Sequence, residues 1–355
     1  MLKRNIFLSV VCLLWLVSGC VSKSESLPQP ADTLTYYSWS GDYVRDVIPD
    51  FAKEYGVDVI YVEFGSQEEA IENLRLGNVY DIVVLENQLV PLLVAEGLLH
   101  RIDYANVPNF RHISPNFRDL MYDPGNVYAI PYSWGTTGLL VRSDLVDPPV
   151  TKWADLWRPD LMEQAAVWPL QRYLIGAALL SLGYSVNSEN PAELEDASAL
   201  LLALGEYAIM IDSEEETIAP QLVSGEAVLA LGWAYDVWMA QEESDLVEYV
   251  LPEEGAILWG DNFVVPASSV HKEMAEKFIN YLLRPEVSAH LIEANYYPMP
   301  NDAAIALLPP ELQADELLFP TDEDMHKAEL LLGLSKEGQQ LHDAIWARFL
   351  TAIEK

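Results

Sequence analysis

The residues that most constrain this chain read Glu254-Gly255-Ala256-Ile257-Leu258-Trp259-Gly260-Asp261-Asn262-Phe263-Val264-Val265-Pro266. Trp259 and Asp261 are two residues apart, so their side chains share one face of an extended segment. Gly260 between them lets a ligand approach the backbone closely. A ring beside a carboxylate suits an organic ammonium ion, because the ring attracts the cation and the carboxylate accepts its N–H bonds. The alternative is a structural pair, a buried Trp and an Asp that caps a turn.

The amino terminus has the pattern of a bacterial secretory signal. Met1-Leu2-Lys3-Arg4 precedes an apolar run over 6–17, and Val17-Ser18-Gly19-Cys20 resembles a lipobox in which Cys20 is lipidated. We expect a signal peptide over 1–19 and a tether over 20–31. The protein would then be lipid-anchored at the periplasmic or extracytoplasmic face of the membrane. A transmembrane span is disfavoured, because the apolar run is short and polar residues follow it at once.

The composition is that of an acidic globular protein. The 355 residues are 51% hydrophobic and 21% charged, enough for one large or two medium domains. Removal of Lys3 and Arg4 takes the formal net charge from −35 to −37. Such acidity disfavours nucleic acid and anionic membranes and attracts cationic solutes, although an acidic surface also serves solvation alone. Cys12 lies in the signal, so the mature chain offers no disulfide, cysteine nucleophile or cysteine metal site.

Short apolar strands alternate with amphipathic helices along the chain. Residues 34–37, 57–62 and 80–85 are predicted strands, and segments with helical spacing separate them. This alternation predicts an α/β protein with mostly parallel sheets flanked by helices.

Two segments are predicted to cross between two lobes. Residues 128–135 break the pattern before a new strand over 137–141, and a return crossing lies near Trp259 to Asp261. A cleft between lobes is a common site for a small ligand. The predicted boundaries place 32–136 and 260–302 in lobe 1, and 137–259 and 303–355 in lobe 2.

Aromatic and acidic residues recur at the predicted carboxyl ends of the strands, where open parallel sheets bind ligands. Singly, each is more often structural, but their convergence indicates a site for a cation. They are Trp39, Asp42 and Tyr43 after the first strand, Glu86 and Gln88 after the third, Trp233 and Asp236 after the second-lobe strand, and Trp259 and Asp261 at the return crossing.

A series of motifs, together with the lipobox, resembles the spermidine/putrescine-binding proteins of bacterial ABC importers. The resemblance covers essentially the whole mature chain, in order. It implies a two-lobed periplasmic-binding-protein fold of type II-like form, which closes on a polyamine and presents it to a permease with its ATPase. A monomer without metal or cofactor is expected. The motifs are Tyr37-Ser38-Trp39-Ser40-Gly41-Asp42-Tyr43, Tyr80-Asp81-Ile82-Val83-Val84, Ile130-Pro131-Tyr132-Ser133-Trp134-Gly135, Trp153-Ala154-Asp155-Leu156-Trp157, Leu283-Arg284-Pro285-Glu286-Val287 and Tyr297-Pro298-Met299-Pro300-Asn301.

The resemblance also implies roles for single positions. The family's ring-and-acid clamp for an amino end matches Trp259 and Asp261, and its second-lobe stacking Trp matches Trp233. Further matches are Trp39 and Tyr43 after the first strand, Tyr297 in the Tyr-Pro-x-Pro-Asn turn, and Asp42, which follows Gly41, an insertion relative to the family pattern.

Two departures from the family pattern concern the second clamp. Glu86 and Gln88 stand where the family tends to carry a hydroxyl and a Tyr. Leu170 and Tyr173 stand where it places two acids that hold an ammonium. One clamp is therefore kept and the other rebuilt, with Glu86 as the replacement acid, which leaves the ligand's identity open.

Three other functions are weighed against a polyamine receptor. A receptor of the same fold for another small amine or polar metabolite stays open. An enzyme is disfavoured, because the histidines are scattered and no metalloprotease helix, nucleophile elbow or phosphate loop occurs. An acidic surface lipoprotein binding divalent cations could use Asp212-Ser213-Glu214-Glu215-Glu216 or Asp322-Glu323-Asp324, but both lack the alternating ligands and central Gly of a calcium loop.

Overall fold

A computed structural model describes residues 33–211 and 217–353. The predicted signal peptide, Cys20, the tether and the acidic run 212–216 lie outside these residues. Within them, no helix combines the length and the apolar character that crossing a bilayer requires.

Strands and helices alternate as the sequence predicts. The strands are β1 (Thr33–Trp39), β2 (Asp58–Phe64), β3 (Ile82–Glu86), β4 (Ala129–Arg142), β5 (Ala165–Val167), β6 (Ile209–Met210), β7 (Leu229–Trp233), β8 (Val247–Val250), β9 (Ile257–Val264) and β10 (Glu329–Leu330). The helices are α1 (Ile48–Tyr55), α2 (Gln67–Arg75), α3 (Val90–Ala95), α4 (Gln171–Ser181), α5 (Pro191–Tyr207), α6 (Ala219–Ser224), α7 (Ala234–Gln241), α8 (Lys272–Leu282), α9 (Pro285–Asn295), α10 (Asp302–Ile305), α11 (Pro310–Gln313), α12 (Asp322–Lys327) and α13 (Lys336–Ile353).

Local sequence signals set several helix bounds. The Ser66 hydroxyl accepts a hydrogen bond from the Glu69 N–H and caps α2. Asn190 caps α5, with Pro191 at its first position. Gly56 ends α1 with a φ of 68°, a left-handed conformation that glycine adopts without strain.

Lobe 1 is built on the parallel strands β2, β1 and β3. β1 pairs with β2 along its whole length and with β3 at Tyr36 and Tyr37. Both faces of these strands are covered, as parallel sheets require. One apolar cluster joins them to α1, α8 and α9, and a second cluster joins them to α2 and α3.

Lobe 2 follows the same plan around β7, β5 and β6, which are also parallel to one another. Helices α4, α5 and α13 form one apolar cluster with these strands, and α6 and α7 form another. The result is the α/β architecture expected from the alternating pattern.

β4 and β9 run through both lobes and join them. They pair in antiparallel fashion from Ala129 opposite Val264 to Thr137 opposite Ile257. β9 extends the lobe 1 sheet through β3, and β4 extends the lobe 2 sheet through β7, both antiparallel. One mixed sheet therefore crosses the protein in the order β2-β1-β3-β9-β4-β7-β5-β6.

The structure corrects the prediction of a break at segment 128–135. The sequence predicted a break there, whereas the structure has one continuous strand of 14 residues, β4. Pro131 fits because the register shifts between it and Ser133, and a bulge tolerates a residue without an N–H. The break in the apolar pattern thus marks a bulged crossing strand and not a loop.

A third segment joins the lobes near the carboxyl terminus. β10 pairs with β9 at Ile257 and Leu258. Leu330 packs on a lobe 1 cluster, whereas Leu331 is buried in lobe 2. The Asn87 side chain, just after β3, donates to the Leu331 carbonyl and so ties this segment to lobe 1.

The chain leaves lobe 1 later than the predicted boundary at 302/303. Ala304 and Leu308 are buried in a lobe 1 cluster. Asn301 holds this segment, since its side chain caps α10 and donates to the Leu283 carbonyl. Helix α13 then packs on α5 in lobe 2.

The crossing generates a prediction about Gly135. A Cβ at this position would lie 2.5 Å from Cζ2 of Trp259, too close for any side chain. Overpacking of this kind costs roughly 1–3 kcal/mol. We therefore expect Gly135→Ala to lower the melting temperature and to shift the tryptophan fluorescence, both measured on the purified protein.

Gly260 provides the matched control, because it lies on the paired strand one position from Trp259. A Cβ there would meet its nearest atoms at 3.6 Å, an ordinary contact. Gly260→Ala should leave the melting temperature almost unchanged. Equal melting temperatures for the two variants would contradict the packing of Trp259 against Gly135.

Candidate functional site

Asp261 lies in the middle of the crossing. On β9 it stands opposite Glu86 of β3 on one side and opposite Ser133 of β4 on the other. Its residue is 8% exposed. Ser133 Oγ lies 3.4 Å from Oδ2, and Oδ1 has no hydrogen-bond partner among the described residues. Since a buried carboxylate oxygen without a donor is unfavourable, Asp261 is a candidate acceptor for a ligand N–H.

Electrostatics reinforce this assignment. Burial raises the pKa of Asp261 well above its usual range, and the charges of Glu86 and Asp42 raise this pKa further. The polar groups of Trp39 and Ser133 lower the same pKa, with less effect than burial and Glu86 have. A cation bound here would favour the ionised form of Asp261.

Glu86 is the second acid of the site. Burial raises the pKa of Glu86 to about 7, and the nearby Glu68 acts in the same direction. The Gln88 amide, which donates to Glu86, lowers this pKa, as do Arg172 and the Tyr173 hydroxyl. Two acids that stand opposite each other and resist ionisation form a pair that one bound cation would stabilise.

Aromatic rings surround the two acids. The Trp259 ring meets Tyr297 edge-on, with centroids 5.3 Å apart. Tyr173 meets Trp233 edge-on at 5.9 Å, and Trp39 packs on a core ring of lobe 1. The Trp259 indole N–H has no partner among the described residues, although Trp259 is only 8% exposed. Rings and acids thus meet where the lobes join, and the lobes are closed around them.

The sequence-predicted residues brought together here come from both lobes. They are Trp39, Glu86, Gln88, Tyr173, Trp233, Trp259, Asp261 and Tyr297.

Asp42 has a different environment from that of the two site acids. Its carboxylate accepts hydrogen bonds from the hydroxyls of Tyr36 at 2.7 Å, Ser38 at 2.8 Å and Tyr132 at 2.7 Å. It also accepts one from the Val44 N–H at 3.1 Å. These four donors occupy its acceptor sites, so the structure places Asp42 beneath the site and not at its surface.

Asp236 and Tyr43 also lie apart from the two acids. Asp236 accepts hydrogen bonds from the N–H groups of Trp233 and Ile218, both at 3.1 Å, and from the Thr217 hydroxyl at 2.7 Å. It therefore caps α7, which is the common structural role of an acid that follows a strand. Tyr43 is 41% exposed.

Arg172 and Ser133 are site residues that the sequence reasoning did not single out. Arg172 Nη1 donates to the Leu332 carbonyl at 2.9 Å and Nη2 to Asn187 Oδ1 at 3.1 Å. Burial lowers the pKa of Arg172 to about 10, and Glu86 opposes that shift. The available signal was a basic residue beside Tyr173 at the start of a helix, in a chain with few basic residues.

The described residues contain no group of three His, Cys, Asp or Glu side chains placed to hold a metal ion. Of the acidic segment 322–324, Asp324 bonds to Thr321 and Glu323 pairs with Lys327 at 2.9 Å. The run 212–216 is outside the described part of the chain.

The pKa of Glu86 generates a prediction about stability. Its folded value of about 7 exceeds the ordinary 4.5, so the folded ligand-free protein holds more protons than the unfolded chain between these values. The free energy of unfolding should therefore fall as the pH rises through this window. Urea unfolding from about pH 5 to pH 8 should show a shallower fall for Glu86→Gln than for the parent.

Glu189→Gln is the matched control. Hydrogen bonds from Ser335 lower the pKa of Glu189, so its removal should not make the fall shallower. Parallel curves for the parent and Glu86→Gln would contradict the unfavourable ionisation of Glu86.

Comparisons with known proteins agree with this architecture. Residues 46–321 match the family described as bacterial extracellular solute-binding protein. The spermidine/putrescine-binding periplasmic protein of Salmonella typhimurium is 35% identical over 301 residues, which cover 84% of this chain and 86% of that protein.

Solved structures show the same fold. The spermidine/putrescine ABC transporter substrate-binding protein PotD from Streptococcus pneumoniae is 28% identical, with a TM-score of 0.79 over 91% of this chain and 100% of that one. The TpPotD lipoprotein of Treponema pallidum is 26% identical, with a TM-score of 0.80 over 90% and 99%. Together with the two-lobed fold and the buried acids at its crossing, these similarities show that the chain belongs to the bacterial extracellular solute-binding proteins.

Proposed function

We propose that this protein is the extracytoplasmic receptor of an ABC importer, which captures a polyamine of the putrescine and spermidine class and delivers it to the permease and its ATPase. The observation that carries the proposal is the buried Asp261 carboxylate, whose Oδ1 has no hydrogen-bond partner within 33–211 and 217–353 and which stands opposite Glu86 where the lobes meet. The names of the Salmonella and Streptococcus relatives support the same ligand class.

Binding would use charge and flat surfaces together. One ammonium of the ligand donates to Asp261 Oδ1 and interacts with Glu86. The rings of Trp259 and Trp233 cover the methylene chain, and Trp39 and Tyr297 complete the aromatic surface. Because closed lobes exclude water, each charge contact is strengthened and each ammonium needs an acidic partner.

Four of the predicted site residues would support the site and not touch the ligand. Asp42 fixes the Tyr132 hydroxyl at 2.7 Å, and Tyr132 lies on the same strand as Ser133. Asp236 caps the helix that follows Trp233. Gln88 holds Glu86 through its amide, and Tyr43 lies at the rim.

The protein would act as a monomer anchored through Cys20, after cleavage of the signal peptide 1–19, with 20–31 as the tether. The lipobox supports this anchor, and the name of the Treponema relative as a lipoprotein is consistent with it. Labelled palmitate should enter the parent and not Cys20→Ala; label in both would refute the anchor.

Substitution at the clamp tests the site. A hydrogen bond to a charged group contributes roughly 1.5–3 kcal/mol, so Asp261→Ala should weaken polyamine binding by about 10- to 150-fold. Trp259→Ala should weaken it comparably, through lost stacking and a cation–π interaction of roughly 1–2 kcal/mol. Isothermal titration calorimetry with putrescine and spermidine measures both effects.

Asp155→Asn is the matched control, since Asp155 is a buried acid whose carboxylate accepts backbone hydrogen bonds from Thr151 and Lys152. It should lower stability and leave affinity unchanged. Parental affinity in both clamp variants would reject the site assignment.

Parallel titrations of the parent separate the alternative functions. Binding of amino acids, choline or acylated amines without binding of polyamines would favour a receptor for another small metabolite. A shift in melting temperature with calcium and none with polyamines would favour a cation-binding surface protein. Either result would reject the polyamine proposal, because a true ligand at a hundredfold excess over its dissociation constant stabilises by roughly 2.7 kcal/mol.

A further inference from the structure

Two aromatic rings stack on each other between the lobes. Tyr296 ends α9, which packs in a lobe 1 cluster, and Trp238 lies on α7, which packs in a lobe 2 cluster. Their ring centroids are 4.9 Å apart, with an interplanar angle of 14°. Since neither residue lies in a strand that crosses between the lobes, a hinge-bending motion changes the distance between the two rings.

The backbone at Tyr296 indicates that its ring is present for this contact. Its φ of 52° and ψ of 35° are left-handed, a conformation with which helices usually end at a glycine. Among the described residues, the other non-glycine residues with positive φ are Asp119 and Asn126, whose short polar side chains tolerate it. A glycine would turn the chain here with less strain, which points to the contacts of the ring as the reason for a tyrosine.

The other end of the Tyr296 side chain is also held between the lobes. Its hydroxyl donates a hydrogen bond to the Asp315 carboxylate, and the residue is 5% exposed. Asp315 lies in a segment that contacts both lobes, since Leu312 and Phe319 pack on a lobe 1 cluster and Leu317 packs on a lobe 2 cluster. The ring and the hydroxyl together fix Tyr296 in one position.

Further rings join this stack to the candidate site. Trp238 lies one turn after Tyr235 on α7, and their ring centroids are 5.7 Å apart. Tyr235 contacts Tyr297 at 5.8 Å, and Tyr297 meets Trp259 edge-on at 5.3 Å. Aromatic contacts between the lobes therefore extend from Tyr296 to the ring of the proposed clamp.

We propose that the stack of Tyr296 on Trp238 is a latch, which stabilises the closed form over a bound ligand and so slows its release. The inference rests on the proposed function and concerns the kinetics of the same site. A contact made only between closed lobes opposes their opening, and an aromatic pair shifts such an equilibrium by about two- to tenfold. Because the latch does not touch the ligand, it acts alike on every ligand that the site accepts.

The experiment loads the protein with labelled putrescine or spermidine and follows release into an excess of the unlabelled amine. Trp238→Leu should release both amines about two- to tenfold faster than the parent, with association rates and the ratio of the two dissociation constants nearly unchanged. Parental release rates in Trp238→Leu, or a changed ratio, would overturn the latch and leave the proposed function intact. Failure of both amines to bind the parent would instead reject the proposed function, and the latch with it.

Trp346→Leu is the matched control. Trp346 is half-buried, as Trp238 is, and it stacks on Phe349 with centroids 4.9 Å apart and an interplanar angle of 25°. Both rings of this pair lie on α13 in lobe 2, so the contact does not join the lobes. Its loss should lower the melting temperature without speeding release. Release as fast as that of Trp238→Leu would mean that general loosening, and not a contact between the lobes, sets the rate.

Variants of Tyr296 give a second test that does not need Trp238→Leu to fold. Tyr296→Asn removes the ring but keeps a residue that tolerates the left-handed turn, so it should also speed release by about two- to tenfold. Tyr296→Phe keeps the ring and should release the ligand more slowly than Tyr296→Asn. Tyr296→Asn combined with Trp238→Leu should be no faster than the faster single variant, because each change breaks the same contact. Effects that multiply in the combined variant would also overturn the latch.

Discussion

The antiparallel pairing of β4 with β9 is the constraint on which the rest of the structure depends. It runs from Ala129 to Thr137 on one strand and serves both lobes with a single set of backbone hydrogen bonds. Because the backbone groups are used in this ladder, the side chains at the crossing are free to form the site. Ser133 and Gly135 on β4 lie opposite Asp261 and Trp259 on β9, so the crossing and the candidate site share these residues.

The site and the stability of the fold make opposite demands on buried acids. Asp42 is surrounded by hydroxyl donors and fits the folded chain as it stands. Asp261 lies at similar depth, and its Oδ1 accepts no hydrogen bond from the residues that the structure describes. Burial of a carboxylate without a hydrogen-bond partner costs free energy, so it is tolerated only where another interaction compensates for this cost. In a receptor the cationic ligand supplies that interaction. The difference between these two acids therefore supports the proposal that Asp42 has a structural role and Asp261 binds the ligand.

Much of the fold could be predicted from the sequence, because periodicity and helix-ending glycines are local signals. The strand at 34–37, the helix ended by Gly56 and the return crossing near Trp259 all follow from such signals. The sequence predicts Glu86 from a strand end and Asp261 from its place beside Trp259 at the return crossing. Their direct opposition depends on the register of β3 with β9, which no local pattern gives. The role of Asp42 depends on Tyr132, 90 residues away. Arg172 was missed because one of its partners, the Leu332 carbonyl, is 160 residues away in sequence.

The segment after β10 gives the molecule a third link between its halves, beside the two long strands. Three connections side by side resist a twist of one lobe against the other more than they resist a hinge-bending motion. The two lobes should therefore close by one hinge-bending motion. The aromatic rings would then meet a bound ligand in the same orientation each time the lobes close. Under the proposed function, the permease would then meet one closed outer shape whenever the ligand is bound.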